Sequence, residues 1–260
     1  MNVEYDPYYS WFLSYVNQFR TPEADKQNNI ELKFDHTLRV CNNITAIAQA
    51  LNLDSEKLFL AKLIALFHDI GRFEQFEKYR TFSDPVSLNH ANLGLRILNR
   101  HRVLSNLTKT ERFIVCRAIW QHNKYKIREP ADFSSTLLSR LIRDADKLDI
   151  LYIMTNYYKN RTSHFNPALD LGLLDKPGFS GDAVQDILNY RMVKISDLKN
   201  LNDLKLMHLS WIYDINFPLT ASLVIRGQYL EELIYSLPES QTREEIDSHI
   251  RNYLKEKWMI

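Results

Sequence analysis

Apolar residues recur along most of the chain every three or four positions, which is the spacing of one face of an α-helix. The segment 58–71, LFLAKLIALFHDIG, differs because Lys62 is the single charge before His68. Such a run, apolar on all sides, predicts a helix that is buried all round. It is shorter than the roughly 20 apolar residues that cross a bilayer, so we expect a core helix that ends at Gly71.

Helical patterns flank this segment on both sides, and few stretches show the alternation of a strand. Thr108 and Glu111 have capping-box spacing, Asp54 and Ser55 can cap the central helix, and Asp84-Pro85 resembles an N-cap followed by proline. With only 6 glycines, the chain is predicted to be all-α. We predict helices over about 6–19, 30–51, 55–71, 85–101, 108–122, 135–158, 182–194, 200–215, 218–236 and 241–257, loops over 21–29 and 72–85, and an irregular lid over 160–182.

We expect a single domain over residues 1–260, because this length and a hydrophobic content of 45% suffice for one sizeable core. Its main part spans about 30–160, and a C-terminal helical extension spans about 182–260. The chain ends in Trp258, Met259 and Ile260, which we expect to pack on this chain or on a partner. A homodimer is therefore left open.

Charge and cysteine content narrow the class of protein. Lys+Arg 33 against Asp+Glu 32 gives a net charge of +1, which argues against bulk nucleic-acid or membrane binding through a positive field. Cys41 and Cys116 lie in apolar helical patterns, which is typical of reduced, buried thiols. The first ten residues lack a basic and an apolar region, so we expect no secretory signal and a cytoplasmic protein.

Six histidines and aspartates fall on inward faces or at the ends of predicted helices. They are His36, His68, Asp69, His90, His122 and Asp146. Any one of them, taken alone, is more often a hydrogen-bonded core residue or a cap than a ligand. Together they predict a metal site, because buried imidazoles and carboxylates need partners. Such ligands suit a divalent metal such as Mn, Fe, Co, Ni or Zn, with Mg as a further candidate. Gly94, four residues after His90, predicts the close approach of another backbone.

The order of these residues resembles the HD-domain superfamily of metal-dependent phosphohydrolases. The resemblance rests on His36, the motif 68–71 (His-Asp-Ile-Gly) and Asp146, and it covers about His36 to Asp149. It implies an all-α, HD-domain-like helical bundle, here with additional C-terminal helices. The implied ligands are His36, His68, Asp69 and Asp146 for a first metal, and Asp69, His90 and His122 for a second.

Two features depart from the pattern of the family. Arg72 follows the motif where many relatives have lysine. Gln121 stands in place of the first of the paired histidines of the HD-GYP phosphodiesterases, and no Gly-Tyr-Pro follows His122. These departures weaken the case for cyclic di-GMP as the substrate.

The resemblance implies hydrolysis of a phosphoester in a nucleotide or another small phosphorylated molecule. The nucleophile would be a metal-bound hydroxide, because a divalent metal lowers the pKa of bound water to about 7. The candidate catalytic residues are Asp69, Arg72 and Lys147. The candidate substrate-binding residues are Arg39, Arg72, Arg80, Lys124 and Lys147, and for each a solvated surface charge is an equally frequent role. Asp149 either orients a ligand histidine or pairs with Arg143 or another base.

Two other functions are compatible with the same residues. Some HD-type proteins resemble this chain at all six ligand positions and use a diiron pair as an oxygenase. A metal that only stabilises the fold of a non-catalytic sensor is the third hypothesis. The sequence favours the hydrolase and leaves the other two open.

Overall fold

The computed structural model describes residues 5–128 and 132–259, apart from the side chain of Phe133. Over this part of the chain the structure contains twelve α-helices, a few short 3-10 turns and no strand, so the predicted all-α fold is confirmed. No helix among these residues is both long enough and apolar enough to span a bilayer. Residues 1–4, on which the expectation about a secretory signal partly rests, and Ile260 lie outside the described residues.

Backbone contacts divide the chain into two compact units, Met1–Asp149 and Ile150–Ile260. The single-domain prediction stays a prediction. The helices of the first unit are α1 (Asp6–Asn17), α2 (Ala24–Ala50), α3 (Ser55–Phe67), α4 (Gly71–Tyr79), α5 (His90–Arg100), α6 (Lys109–Gln121) and the first part of α7 (Phe133–Asn160).

The apolar helix α3 lies at the centre of the first unit. It packs along α2 and also contacts α6 and α1. Every residue from Leu63 to Phe67 is fully buried, as the uninterrupted apolar pattern predicts. The carboxylate of Asp54 accepts the backbone N–H of Lys57 and caps the helix, an interaction typically worth about 1 kcal/mol.

The boundary after α3 differs from the sequence prediction. The helix ends at Phe67, and Gly71 is the first residue of α4 rather than the last residue of α3. The predicted loop after Gly71 is mostly this helix, because Phe73 and Phe76 form a buried face with Gln75 while Lys78 stays exposed. An amphipathic helix of nine residues is stable here because its apolar face packs on the unit.

The start of α5 was also predicted at the wrong place. Asp84–Val86 is a short 3-10 turn, and the helix begins at His90 with the side chain of Asn89 accepting the N–H of Asn92. The carboxylate of Asp84 accepts hydrogen bonds from side chains of other segments instead of capping a helix. The prolyl residue therefore starts a turn, not the helix.

The first residues of α6 and α2 also bear on what was predicted from the local sequence. The capping box of Thr108 and Glu111 is present at the start of α6. By contrast, the predicted linker 21–29 is mostly helical, because α2 begins at Ala24. Asn29 and Ile30 are buried, so the polar composition of this stretch was a poor guide to its structure.

Gly71 and Gly94 allow α4 and α5 to touch through their backbones. A Cβ atom added to Gly71 would lie 2.2 Å from the carbonyl oxygen of His90 and 2.7 Å from the amide nitrogen of Gly94. A Cβ atom on Gly94 would lie 3.1 Å from Cγ2 of Ile70. The close approach predicted from Gly94 is thus present, and it brings the beginning of α5 next to the segment that carries Asp69.

The second unit has its own buried core and polar anchors. Its helices, after the last part of α7, are α8 (Gly181–Leu188), α9 (Leu201–Ser210), α10 (Pro218–Arg226), α11 (Tyr229–Tyr235) and α12 (Gln241–Trp258). Residues 161–180 contain turns and no helix, and their predicted role as a lid stays a prediction. In this segment Asp170 accepts hydrogen bonds from Tyr157 and Arg161, and Ser180 is held by Asp203.

Candidate metal centre

His68 and Asp69 occupy the junction between α3 and α4. His68 is the C-cap residue of α3, and its Nδ1 donates to the carbonyl oxygen of Ala65 over 2.7 Å. Both side chains are almost completely buried, and the adjacent helix start at Gly71 keeps the junction short. The pair is therefore fixed at the buried C-terminal end of α3.

The first group of ligand atoms forms around His36 from α2. Its Nε2 lies 3.3 Å from Nε2 of His68, 3.2 Å from Oδ1 of Asp146 on α7 and 3.5 Å from Oδ2 of Asp69. Bonds of about 2.0–2.2 Å to one ion place neighbouring ligands about 3–3.5 Å apart. The distances from Nε2 of His36 to the other three atoms are therefore those expected between ligands of a single cation, and we call the four residues the first cluster.

The second group of ligand atoms contains His90 from the start of α5 and His122 from the end of α6. Their Nε2 atoms lie 2.9 Å apart. Oδ1 of Asp69 is 3.3 Å from Nε2 of His90 and 3.8 Å from Nε2 of His122. We call these three residues the second cluster. Because Oδ2 of Asp69 faces the first cluster and Oδ1 faces the second, this carboxylate is shared between them.

In each of the four histidines the hydrogen bond is made by Nδ1. When the imidazole is neutral, its Nε2 atom, which faces the cluster, therefore carries no proton. Nδ1 of His36 and His90 faces the carboxylates of Asp149 and Asp84, and Nδ1 of the other two faces backbone carbonyls. Since those oxygens only accept, each Nδ1 is the donor. The Nε2 lone pairs then point at one another, and a cation between them removes the repulsion.

Two histidines show how the charges around the clusters act. Burial works to lower the pKa of His36, but hydrogen bonds to three neighbouring carboxylates raise it to about 10. Burial and the charge of Arg72 lower the pKa of His90 to about 3, so its imidazole is neutral at pH 7. The negative field that draws a proton to the first cluster also attracts a metal ion.

The aspartates of the clusters are ionised despite their burial. Burial works to raise the pKa of Asp69, but nearby positive groups, Lys33 first among them, hold it well below its usual value. Burial likewise opposes ionisation of Asp146, and the hydrogen bonds and charges of His36 and His68 hold its pKa low. Oδ1 of Asp146 faces Nε2 of His36 at 3.2 Å and Nε2 of His68 at 3.6 Å. A carboxylate oxygen placed between two imidazole nitrogens fits a position for a cation.

Comparison with family profiles matches residues 34–151 to the HD domain. This part of the chain is an HD domain. Comparisons with curated proteins and with solved structures gave no match. The HD domain is typical of a superfamily of metal-dependent hydrolases, and the buried His and Asp groups within residues 34–151 can hold metal ions.

Within the HD domain the structure brings all six predicted ligand residues together. They form the two adjacent clusters around Asp69, and each cluster combines imidazole nitrogens with carboxylate oxygens. This donor set fits a divalent transition metal. One or two such ions are therefore compatible with the residues that are present.

The predicted substrate-binding cations fall into different environments. Arg72 is close to the clusters, with Nε 3.4 Å from Oδ1 of Asp69, and Lys147 is buried. Arg80, by contrast, forms an exposed ion pair with Glu23, and Nζ of Lys124 lies 5.0 Å from the ring centroid of Trp120. Arg39 donates to Asp149. Their roles toward a substrate stay predictions.

Both alternatives left open for Asp149 are present in the structure, because it contacts a histidine of the first cluster and also pairs with a base, Arg39. Its Oδ2 accepts Nδ1–H of His36 over 2.7 Å, and Arg39 donates to both of its oxygens. Arg143 donates to the backbone carbonyls of Gln121 and His122. Asp149 therefore orients a histidine of the first cluster.

Two residues of the site were missed by the sequence interpretation. Nζ of Lys33 lies 2.8 Å from Oδ2 of Asp69, and its position three residues before His36 on α2 was an available signal. Asp84 bonds to Nδ1 of His90, but its Asp-Pro pattern pointed to an ordinary helix cap. Only the fold shows where this carboxylate is used.

Proposed function

We propose that the protein is a phosphohydrolase or phosphodiesterase that cleaves a phosphoester of a nucleotide or another small phosphorylated molecule. The observation that carries the proposal is the shared carboxylate of Asp69 between two histidine-containing clusters. Two divalent ions held there would supply a Lewis acid and a hydroxide nucleophile at neutral pH.

The residues of the clusters have distinct roles in this proposal. Asp69 sets the separation of the two sites through its two oxygens. His36, His68 and Asp146 complete the first site, and the second is completed by His90 and His122. Since four imidazoles are held by hydrogen bonds at Nδ1, the binding atoms are positioned before any substrate arrives.

Cationic side chains beside the clusters support an anionic substrate. Lys33 and Arg72 flank the two oxygens of Asp69, and both side chains remain partly accessible. The guanidinium of Arg72 can contact phosphate oxygens through two N–H groups, but it stays protonated and is a poor proton donor to a leaving group. We assign Arg72, Lys33 and the buried Lys147 to charge neutralisation rather than to proton transfer.

The experiment that tests this function is a screen of the purified protein against nucleotides, cyclic dinucleotides and sugar phosphates. The metal-free protein is supplied separately with Mn, Co, Ni, Fe, Zn or Mg, and released phosphate and nucleoside are both measured. We expect turnover of at least one phosphoester with a divalent ion and its loss with chelator. An absence of turnover across the panel with both sites loaded would contradict a hydrolase.

The diiron oxygenase is the competing function, because the same ligands suit iron. The decisive comparison is oxygen consumption by the iron-loaded protein with and without each candidate substrate. The hydrolase predicts equal phosphate release in air and under argon. Oxygen uptake that depends on a substrate would favour the oxygenase.

A further inference from the structure

The carboxylate of Asp84 lies beside the second cluster and accepts hydrogen bonds from several side chains. Its Oδ1 accepts from Arg72 over 3.1 Å and from Gln75 over 2.9 Å. Its Oδ2 accepts from Asn89 over 3.3 Å and from Asn123 over 3.1 Å. The carboxylate therefore ties together α4, the start of α5 and the residue that follows His122.

The same carboxylate also contacts the imidazole of His90, on the side of the ring opposite the cluster. Nδ1 of His90 lies 2.9 Å from Oδ1 and 2.8 Å from Oδ2 of Asp84, and the backbone N–H of His90 also points to Oδ1. At the other end of the ring, Nε2 faces His122 and Asp69. Asp84 thus fixes both the ring orientation and the proton on Nδ1.

The first cluster has a separate residue in the equivalent place. Asp149 accepts Nδ1–H of His36, as Asp84 does for His90. In each of the two clusters, one histidine therefore donates its Nδ1–H to a carboxylate outside the cluster. Such carboxylates raise the basicity of a ligating imidazole and hold it in the tautomer that leaves Nε2 free.

We propose that Asp84 is a positioning residue that selectively controls occupancy of the second metal site. This inference rests on the proposed two-metal function and names a determinant of it outside the six ligands. Replacing Asp84 by asparagine presents an amide N–H₂ to His90. The imidazole can then accept at Nδ1 and carry its proton on Nε2, the atom that faces the metal site.

The test is a calorimetric titration of metal-free protein with Mn²⁺. His36→Ala and His122→Ala serve as references that identify the binding events of the first and second sites. We expect Asp84→Asn to weaken the second event about 10- to 100-fold. The first event should keep its dissociation constant within about threefold. Retention of the first event also shows that the variant is folded.

Asp149→Asn gives the reciprocal comparison, and it should weaken the first event more than the second. Asp54→Asn is the matched control, since it removes an exposed carboxylate while keeping a side chain that can cap α3. Both binding events should be unchanged in that control. A spectroscopic check is the Mn²⁺ resonance, which should change from a coupled pair to an isolated ion in Asp84→Asn.

Asn123→Ala is the second variant if Asp84→Asn does not fold. It removes one donor to Asp84 and leaves the contact with His90 in place. We expect a smaller, selective loss of the second event, whereas equal weakening of both events would overturn the inference.

The outcomes separate this inference from the function on which it rests. Wild-type protein that binds fewer than two ions would overturn the two-metal site and the role of Asp84 with it. Two ions in wild type and an unchanged second event in folded Asp84→Asn would overturn the role of Asp84 alone.

Discussion

Asp69 joins two sets of candidate ligands through a single carboxylate group. Its Oδ2 lies 3.5 Å from Nε2 of His36, and its Oδ1 lies 3.3 Å from Nε2 of His90. Lys33 and Arg72 compensate its charge from two sides. No other residue of the clusters has this double position among the residues that the structure describes. Its removal should therefore affect both sites, while removal of any histidine should affect mainly one.

Asp69→Ala should abolish binding of both ions, because neither cluster keeps its carboxylate bridge and Lys33 loses its partner. Metal content after dialysis and phosphate release are the measurements. Asp35→Ala, which removes an exposed carboxylate adjacent to His36 in the sequence, should keep both. Full metal content and turnover in Asp69→Ala would show that this residue is not a ligand.

At the scale of elements, the contact between α4 and α5 sets the distance between Asp69 and His90. The contact depends on Gly71, where a side chain would meet the backbone of the neighbouring helix. The glycine thus links a packing requirement to the geometry of the second cluster. The charge of Arg72, one residue later, reaches both Asp69 and Asp84 as a consequence.

Gly71→Ala should destabilise the protein by about 1–3 kcal/mol, because its Cβ would lie 2.2 Å from the carbonyl oxygen of His90. The binding of the second ion should weaken more than that of the first. Gly181→Ala is the matched control, since nothing lies within 4 Å of a Cβ there. Urea unfolding and the Mn²⁺ titration check both statements, and equal behaviour of the two variants would contradict them.

The elements differ in how well the sequence predicts them. Helix α3 was predictable because a run of residues that is apolar on all sides indicates a buried helix. The start of α6 was predictable because a capping box involves only residues that are close in the sequence. Helix α4 was not, since its short amphipathic face is stabilised only by the packing around Phe73 and Phe76. Asp84 was misassigned for a related reason: its partners lie on segments that only the fold brings together.

At the scale of the whole molecule, the grouping of the six candidate ligands was predictable because their residue types and order are distinctive. The family resemblance also implied their partition into two clusters around Asp69, whereas only atomic positions show which of its oxygens faces which cluster. Among its described residues the second unit has no such cluster, and some of its polar groups have structural partners, such as Asp203 with Ser180. One of its buried groups, His208, nonetheless makes stability depend on pH.

Burial lowers the pKa of His208 to about 3, while an unfolded histidine titrates near pH 6.5. Between these values the unfolded chain binds a proton that the native chain does not, so the free energy of unfolding falls as the pH falls. From pH 7 to pH 5 this residue should remove about 2 kcal/mol. Well above pH 6.5 the histidine is neutral in both states, so it then has no effect on the pH dependence of stability.

His208→Asn keeps an acceptor near the hydroxyl of Tyr158 but does not titrate. The free energy of unfolding of this variant should fall less between pH 7 and pH 5 than that of wild type, by about 2 kcal/mol. Urea unfolding of the metal-free proteins measures the difference. His164→Asn, at an exposed histidine of the same unit, should follow wild type. Identical pH dependence in all three proteins would show that His208 does not contribute.

The most direct test of a shared metal centre is the number and coupling of Mn²⁺ ions in the wild-type protein. Metal content after titration and buffer exchange gives the number, and electron paramagnetic resonance reports whether the ions interact. Two ions per chain with a coupled signal are expected, because a shared carboxylate holds two metals about 3.5–4 Å apart. A single ion with an isolated six-line signal, or no bound ion, would contradict the account.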